Sequence, residues 1–255
     1  MSGRGGRVVL KSARQIEIMR EANQHTAQIL DLMCRHVQPG VTTWELDQLA
    51  RKEIARRGVT SAFLGYRGYP AVICASVNHE IVHGIPKRST VLRQGDLVGL
   101  DFGVVHRGYV GDTARTVAVG TVDPASQRLI DATAECLRRA IEVSTPDHRL
   151  SDIGRVVQDY AESLGYGVVR DFVGHGIGTR MHEDPQVQNY YDGPKARLRP
   201  GLVIAIEPML NQGSHGVRVL RDGWTAVTED GARSAHFEHS LAITDGPATV
   251  LSSLT

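Results

Sequence analysis

The sequence predicts an α+β fold, one domain made of two repeated halves. Helix-like and strand-like segments alternate in blocks, helices then strands and again helices then strands, with no linker between them. Matching residues also recur in the same order in both blocks. Gly95 leads through a strand to Asp101 as Gly201 leads to Glu207. Asp112 precedes Gly120 as Glu238 precedes Gly246, and His83-Gly84-Ile85 returns as His175-Gly176-Ile177. A duplicated scaffold without chemistry would leave the same traces, so the repeat alone fixes no function.

Taken in order, residues 1–12 are expected to form a tail and 13–255 the domain, its halves spanning about 13–120 and 121–250. Residues 13–38 place Ile16, Met19, Thr26, Ile29, Leu30, Met33 and Val37 at helical spacing, and Pro39-Gly40 ends the run. Thr42 and Glu45 form a capping box for a second helix reaching Arg57. Strands are expected near 72–78, 97–103 and 109–119. Two helices follow at 125–144 and 151–165, the second opened by Ser151 and closed by Gly165. Further strands are expected near 167–173, 202–208, 217–228 and 235–244.

Of 255 residues, 41% are hydrophobic and 22% charged, enough for one substantial core. A net charge of +1 and 5% aromatic residues argue against a nucleic-acid surface. Cys34, Cys74 and Cys136 are odd in number and show no paired spacing, which predicts a reducing compartment. No long apolar run marks a signal peptide or a membrane span, so the cytoplasm is expected.

The stretch "NHEIVHGIP" contains His79-Glu80-Ile81-Val82-His83, the H-E-x-x-H pattern of zinc proteases. That chemistry needs a helix to bring both histidines to one face. The β-branched run before it and Pro86 after it predict a strand running into a loop instead.

Acids inside apolar strands carry more weight. A two-residue turn at His106-Arg107 would set Asp101 opposite Asp112, with the small residues Gly99, Ala114 and Thr116 on the same face. Ala205, Ser240 and Ala242 surround Glu207 and Glu238 in the same way. One acid of each pair could face solvent, as most acids do. Yet "LVGLDFG" and "LVIAIEPML" predict burial, and buried acids need partners. Two divalent cations would balance four carboxylates. Carboxylate and imidazole donors suit manganese, iron, cobalt or zinc, and two such ions can activate a water for hydrolysis. In "VGHGIGTRMHEDP", glycines surround His175 and His182 follows seven residues on. Alone, this stretch could be a glycine-rich loop with surface histidines. Beside the acid pairs it completes a site.

These motifs, together with "GYRGYPAVICASVN", "VHGIP", "GYVGDTART" and "FEHSLAITDG", resemble the type I methionine aminopeptidases over nearly the whole chain. The resemblance implies the pita-bread fold, a pseudo-twofold arrangement of curved antiparallel strands with two pairs of outer helices. It implies two divalent metal ions held by Asp101, Asp112, His175, Glu207 and Glu238, with Asp112 and Glu238 bridging both. Glu207 would shuttle a proton, while His83 and His182 would stand beside the substrate. The methionine pocket maps onto Phe63, Tyr66, Tyr69, Cys74, Met181 and Trp224. Phe63 and Met181 depart from the family pattern, which commonly has cysteine and phenylalanine there. Asn78 and Ser234 match positions that offer backbone oxygens to a monovalent cation. The implied substrate is an initiator methionine followed by a small residue, on nascent chains met transiently at the ribosome, and the implied state is a monomer. A proline-specific peptidase of the same fold and a non-catalytic binding protein on the same scaffold are the alternatives.

Overall fold

The computed structural model describes residues 8–254; of the expected tail, residues 1–7 lie outside them. Two helices open the first half, α1 (Ala13–His36) and α2 (Thr43–Arg57). The predicted capping box starts α2: Thr42 Oγ1 accepts the Glu45 N–H at 3.2 Å, and Glu45 Oε2 accepts the Thr42 N–H at 2.7 Å. The helix stops at Gly58, whose φ of 64° costs glycine little. Strands β1 (Thr60–Ser61), β2 (Ile73–Val77), β3 (Glu80–Val82), β4 (Leu97–His106) and β5 (Tyr109–Ala118) follow, with a 3-10 turn at Tyr66–Gly68.

The second half repeats the order with α3 (Pro124–Glu142) and α4 (Leu150–Ser163). Its strands are β6 (Gly167–Val168), β7 (Gly174–Gly176), β8 (Glu183–Val187), β9 (Val203–Ile206), β10 (Met209–Asn211), β11 (Val217–Val219), β12 (Ala226–Thr228), β13 (Ser234–Ala242) and β14 (Thr249–Val250). The start of α4 differs from expectation. Arg149, not Ser151, takes the cap position, because the Asp152 carboxylate turns back to accept the Arg149 N–H at 2.8 Å. The strand expected over 217–228 is two strands, reversed where Asp222 accepts the N–H groups of Trp224 and Thr225. Lys11, assigned to the tail from sequence, is buried, and its N–H donates to Gly201 O at 2.7 Å.

Among the described residues, the main sheet runs β1-β4-β5-β13-β9-β7-β8, and β11-β12-β3 form a smaller one. The long strands of the two halves, β5 and β13, therefore lie side by side and antiparallel, with Ala114 opposite Glu238. Each half has its own core. Ile29, Leu30, Met33 and Leu46 of α1 and α2 pack with Leu100, Phe102 and Val104 of β4. Leu129, Leu137, Ile153 and Val157 of α3 and α4 pack with Ile204, Ile206 and Leu241.

The β4–β5 register corrects the sequence reading by two residues. His106 pairs with Tyr109, so the turn is Arg107-Gly108; Asp101 faces Ala114 and Asp112 faces Gly103. A tight hairpin turn favours positive φ at both central residues, and Arg107 and Gly108 supply 50° and 80°. An even shift leaves every side chain on its original face. Asp101 and Asp112 remain on one side of the hairpin, as diagonal neighbours instead of a direct pair.

Candidate active site and metal centre

A cavity of about 270 Å³ opens on the sheet. Asp101, Asp112, His175, Glu207 and Glu238 line it, together with His83, His182 and all six residues of the expected methionine pocket. Asp101 and Asp112 come from the β4–β5 hairpin, His175 from β7, Glu207 from the end of β9 and Glu238 from β13. Donor atoms of Asp112, His175 and Glu238 all lie within 4.8 Å of one another. His175 Nε2 is 3.6 Å from Glu207 Oε1 and 3.9 Å from Asp112 Oδ2.

Backbone bonds across the central seam aim these groups. Thr113 Oγ1 donates to Glu238 O at 2.7 Å, and Ser240 Oγ donates to Asp112 O at 2.9 Å. The buried Asn189 amide donates to Glu207 O at 3.0 Å. Gly103, opposite Asp112, has no side chain because the Phe63 ring lies over it; an added Cβ would stand 2.9 Å from that ring.

The electrostatics call for cations. Burial pushes the Asp101 carboxyl up to about 7. Burial, then repulsion from Asp101 and Glu207, raises Asp112 well above the usual range. Burial, then neighbouring acids, raises Glu207 and Glu238 in the same direction. Asp101 Oδ1, Asp112 Oδ1 and Glu238 Oε1 are buried without any hydrogen-bond partner, a costly state for a polar atom. The His175 Nδ1–H donates to its neighbour's carbonyl, Gly176 O, at 3.0 Å. Burial holds its pKa down at about 4. The ring is therefore neutral with a bare Nε2, the form that binds a metal. Orphaned carboxylate oxygens and a free imidazole nitrogen fit a divalent ion.

The histidines of H-E-x-x-H separate as the flanks predicted. His79 is exposed, Glu80 opens β3 and accepts the Val77 N–H at 2.8 Å, and only His83 reaches the cavity. His83 stands edge-on to Phe172 and Trp224, with ring centroids 5.1 and 6.2 Å away. His182 stands at the mouth, its Nδ1 2.8 Å from the Tyr66 hydroxyl and its ring 4.3 Å from that of His175. Tyr69 packs edge-on to Trp224 at 5.0 Å, and its hydroxyl donates to Ile73 O at 2.9 Å. Met181 packs with Phe63 and Tyr66.

Asn78 and Ser234 lie beside each other, outside the cavity lining. The Ser234 N–H donates to Asn78 O at 2.8 Å, and Asn78 has a positive φ of 56°. The sequence reading passed over Arg67 and Phe172, which also line the cavity. Their signal was position, next to Tyr66 and three residues before His175. It also passed over Asn189, whose stretch "VQNYYD" gives no sign that its amide holds the backbone of a site acid.

A duplicated α+β fold that brings carboxylates and imidazole from both halves around one cavity defines a metal-dependent hydrolase. The profile of metallopeptidase family M24 matches residues 17–245. The chain is 47% identical over 248 residues to methionine aminopeptidase A of Synechocystis sp., covering 97% of this chain and 98% of that protein. The crystal structure of methionine aminopeptidase from Thermotoga maritima matches with a TM-score of 0.95 at 42% identity, covering 97% of this chain and 100% of that one. The chain belongs to the type I methionine aminopeptidases of metallopeptidase family M24, and its fold is the pita-bread fold. The Xaa-Pro dipeptidase of Bacillus anthracis, at 22% identity and a TM-score of 0.79, shares the fold; the match covers 97% of this chain and 63% of that one.

Proposed function

We propose that this cavity hydrolyses the first peptide bond of chains that begin with methionine. The observation that carries the reading is the meeting of two different sets of residues in one cavity: five metal-type donors and a pocket of aromatic, thiol and thioether side chains. Asp101, Asp112, His175, Glu207 and Glu238 would hold two divalent ions. When bound, such ions neutralise the acids, polarise a carbonyl and acidify a water.

This chain's own residues do the rest. Phe63, Tyr66, Tyr69, Cys74, Met181 and Trp224 receive the methionine side chain; polarizable sulfur against aromatic edges is a favourable contact. Phenylalanine at 63 lays an aromatic ring over Gly103, and methionine at 181 contributes a flexible thioether to the lining. Glu207 takes the proton of the attacking water and passes it to the leaving amine. In this reading the Tyr66 hydroxyl, 2.8 Å from His182 Nδ1, acts as the donor, so that the imidazole proton lies on Nε2 and can meet the developing oxyanion. His83 steadies the scissile nitrogen.

The substrate is an initiator methionine followed by a small residue, on nascent chains met transiently at the ribosome, and the enzyme works as a cytoplasmic monomer. Among the described residues, no helix is long and apolar enough to cross a membrane. A monovalent cation at Asn78 and Ser234 belongs to the same proposal. The Asn78 carbonyl accepts one bond from Ser234, and a carbonyl has a second lone pair to offer.

The test is release of methionine from Met-Ala-Ser and from Xaa-Pro peptides across cobalt, manganese, iron and zinc. Turnover of the first alone supports the reading. Cleavage of Xaa-Pro alone, or metal binding with no cleavage of either, overturns it. His182→Ala is expected to lose ~10²–10³ in kcat while still binding metal.

A further inference from the structure

The ladders give a residue-by-residue correspondence between the halves, finer than the sequence repeat. Gly95 N–H donates to Val119 O at 2.9 Å, as Gly201 N–H donates to Ile243 O at 2.9 Å. Val119 N–H returns to Asp96 O at 2.8 Å, as Ile243 N–H returns to Leu202 O at 2.8 Å. Gly99 pairs with Thr116 in one half, and Ala205 with Ser240 in the other. In this frame Asp101 corresponds to Glu207. Asp112 does not correspond to Glu238, as its order in the sequence suggested, but to His236; the counterpart of Glu238 is Ala114.

His236 is thus the residue that the second half places where the first half has an acid of the site. It shares a face of β13 with Glu238, two residues on. It is 3% exposed, and its Nε2 is buried with no hydrogen-bond partner. That nitrogen lies 4.0 Å from Glu207 Oε2, while the other oxygen, Oε1, lies 3.6 Å from His175 Nε2. The Glu207 carboxylate therefore sits between two imidazole nitrogens.

Resting on the function proposed above, we propose that His236 is a positioning residue for Glu207, its Nε2–H holding Oε2 so that the carboxylate keeps one orientation while it carries the proton. The separation exceeds a direct hydrogen bond, and a small rotation of either side chain closes it. A neutral imidazole carries one N–H, and Nε2, which has no other partner, is the nitrogen placed to offer it to Oε2. Groups that orient site residues in this way typically govern 10–100-fold in metal affinity or activity.

His236→Leu removes the donor, and His236→Gln restores an N–H at similar reach. Both variants, as full chains, are assayed for kcat and KM on Met-Ala-Ser and titrated with manganese(II) by calorimetry. The leucine variant is expected to lose about 10–100-fold in kcat with KM within about twofold, and to bind manganese about tenfold more weakly. The glutamine variant is expected to recover both to within about threefold. A leucine variant as active as wild type, or a glutamine variant no better than leucine, overturns the assignment. If wild type releases no methionine, the proposed function fails, and the calorimetric difference between the two variants then decides this inference. Should the leucine variant not fold, His236→Asn, whose shorter amide falls short of Glu207, takes its place.

Discussion

The two halves build the same site by different means. The first half presents Asp101 and Asp112 on one continuous hairpin, ten residues to each strand. The second half gathers His175, Glu207 and Glu238 from three strands, of which β7 and β9 have only three and four residues. A long hairpin fixes two side chains by register alone, since one slip would turn both to the wrong face. Short strands have no such self-sufficiency. They depend on side-chain tethers such as Asn189 on the Glu207 carbonyl and on the seam bonds from Thr113 and Ser240. Duplication kept Asp101 and Glu207 at equivalent places, while the second acid sits at the position of Asp112 in one half and of Glu238 in the other, and the means of holding these groups diverged.

The largest expected effect tests whether the halves are equal partners. Asp112→Asn and Glu238→Gln should each reduce kcat/KM by at least about 10³-fold, the equivalent of several kcal/mol of charge stabilisation. Peptide assays at saturating metal check this. If either variant keeps a tenth of the activity, only one half holds the working ion.

The next effect concerns the link between the chain's start and the second half. Lys11 Nζ meets Glu183 Oε2 at 2.6 Å, with both side chains nearly inaccessible, and Glu183 directly follows His182. Removing one partner of a buried pair costs about 3–5 kcal/mol, and replacing both with apolar residues restores most of it. Denaturant unfolding of Lys11→Met and of Lys11→Met with Glu183→Leu should show this loss and recovery.

The paired histidines of the repeat offer a third comparison. Burial, then the neighbouring His182, holds the His83 pKa down at about 4, against 6.5 for a free imidazole. The unfolded chain therefore takes up the proton first. The stability due to the neutral ring is complete above pH 6.5 and is lost as pH falls from 6.5 through 4, about 3 kcal/mol in all. The difference in unfolding free energy between wild type and His83→Asn should shrink by that amount over this range. The buried acids titrate with the opposite sign and cancel in the difference.

The smallest effect probes the hairpin alone. Gly108→Ala forces a Cβ into a φ of 80° and should cost about 1 kcal/mol in thermal unfolding without changing KM. A large loss of activity would mean that the first half's register is as fragile as the second half's tethers.

Much of this was legible because it rests on local chemistry. Thr42 and Glu45 announced a helix start, and acids inside "LVGLDFG" and "LVIAIEPML" announced a buried charge. The hairpin register was missed although its signal was present, since Gly108 is the residue a tight turn demands. Strands β7, β8 and β10 were not legible. β7 and β8 include Gly174, Gly176 and Pro185, poor strand formers, and β10 has only three residues, too few to show an alternating pattern. His236 was hidden by Glu238 two residues on, and its meaning depends on a ladder correspondence between strands far apart in sequence. Lys11 looked like part of a tail because its partner is Glu183, far along the chain.

The seam between β5 and β13 has a consequence for how the enzyme comes to life. The five metal-type donor groups that line the cavity span residues 101 to 238, so a chain that stops short of Glu238 lacks part of the set. The crossed hydroxyl bonds from Thr113 and Ser240 form only after both strands have been made and docked. A product truncated before β13 lacks Glu238 and both seam bonds, and is expected to release no methionine.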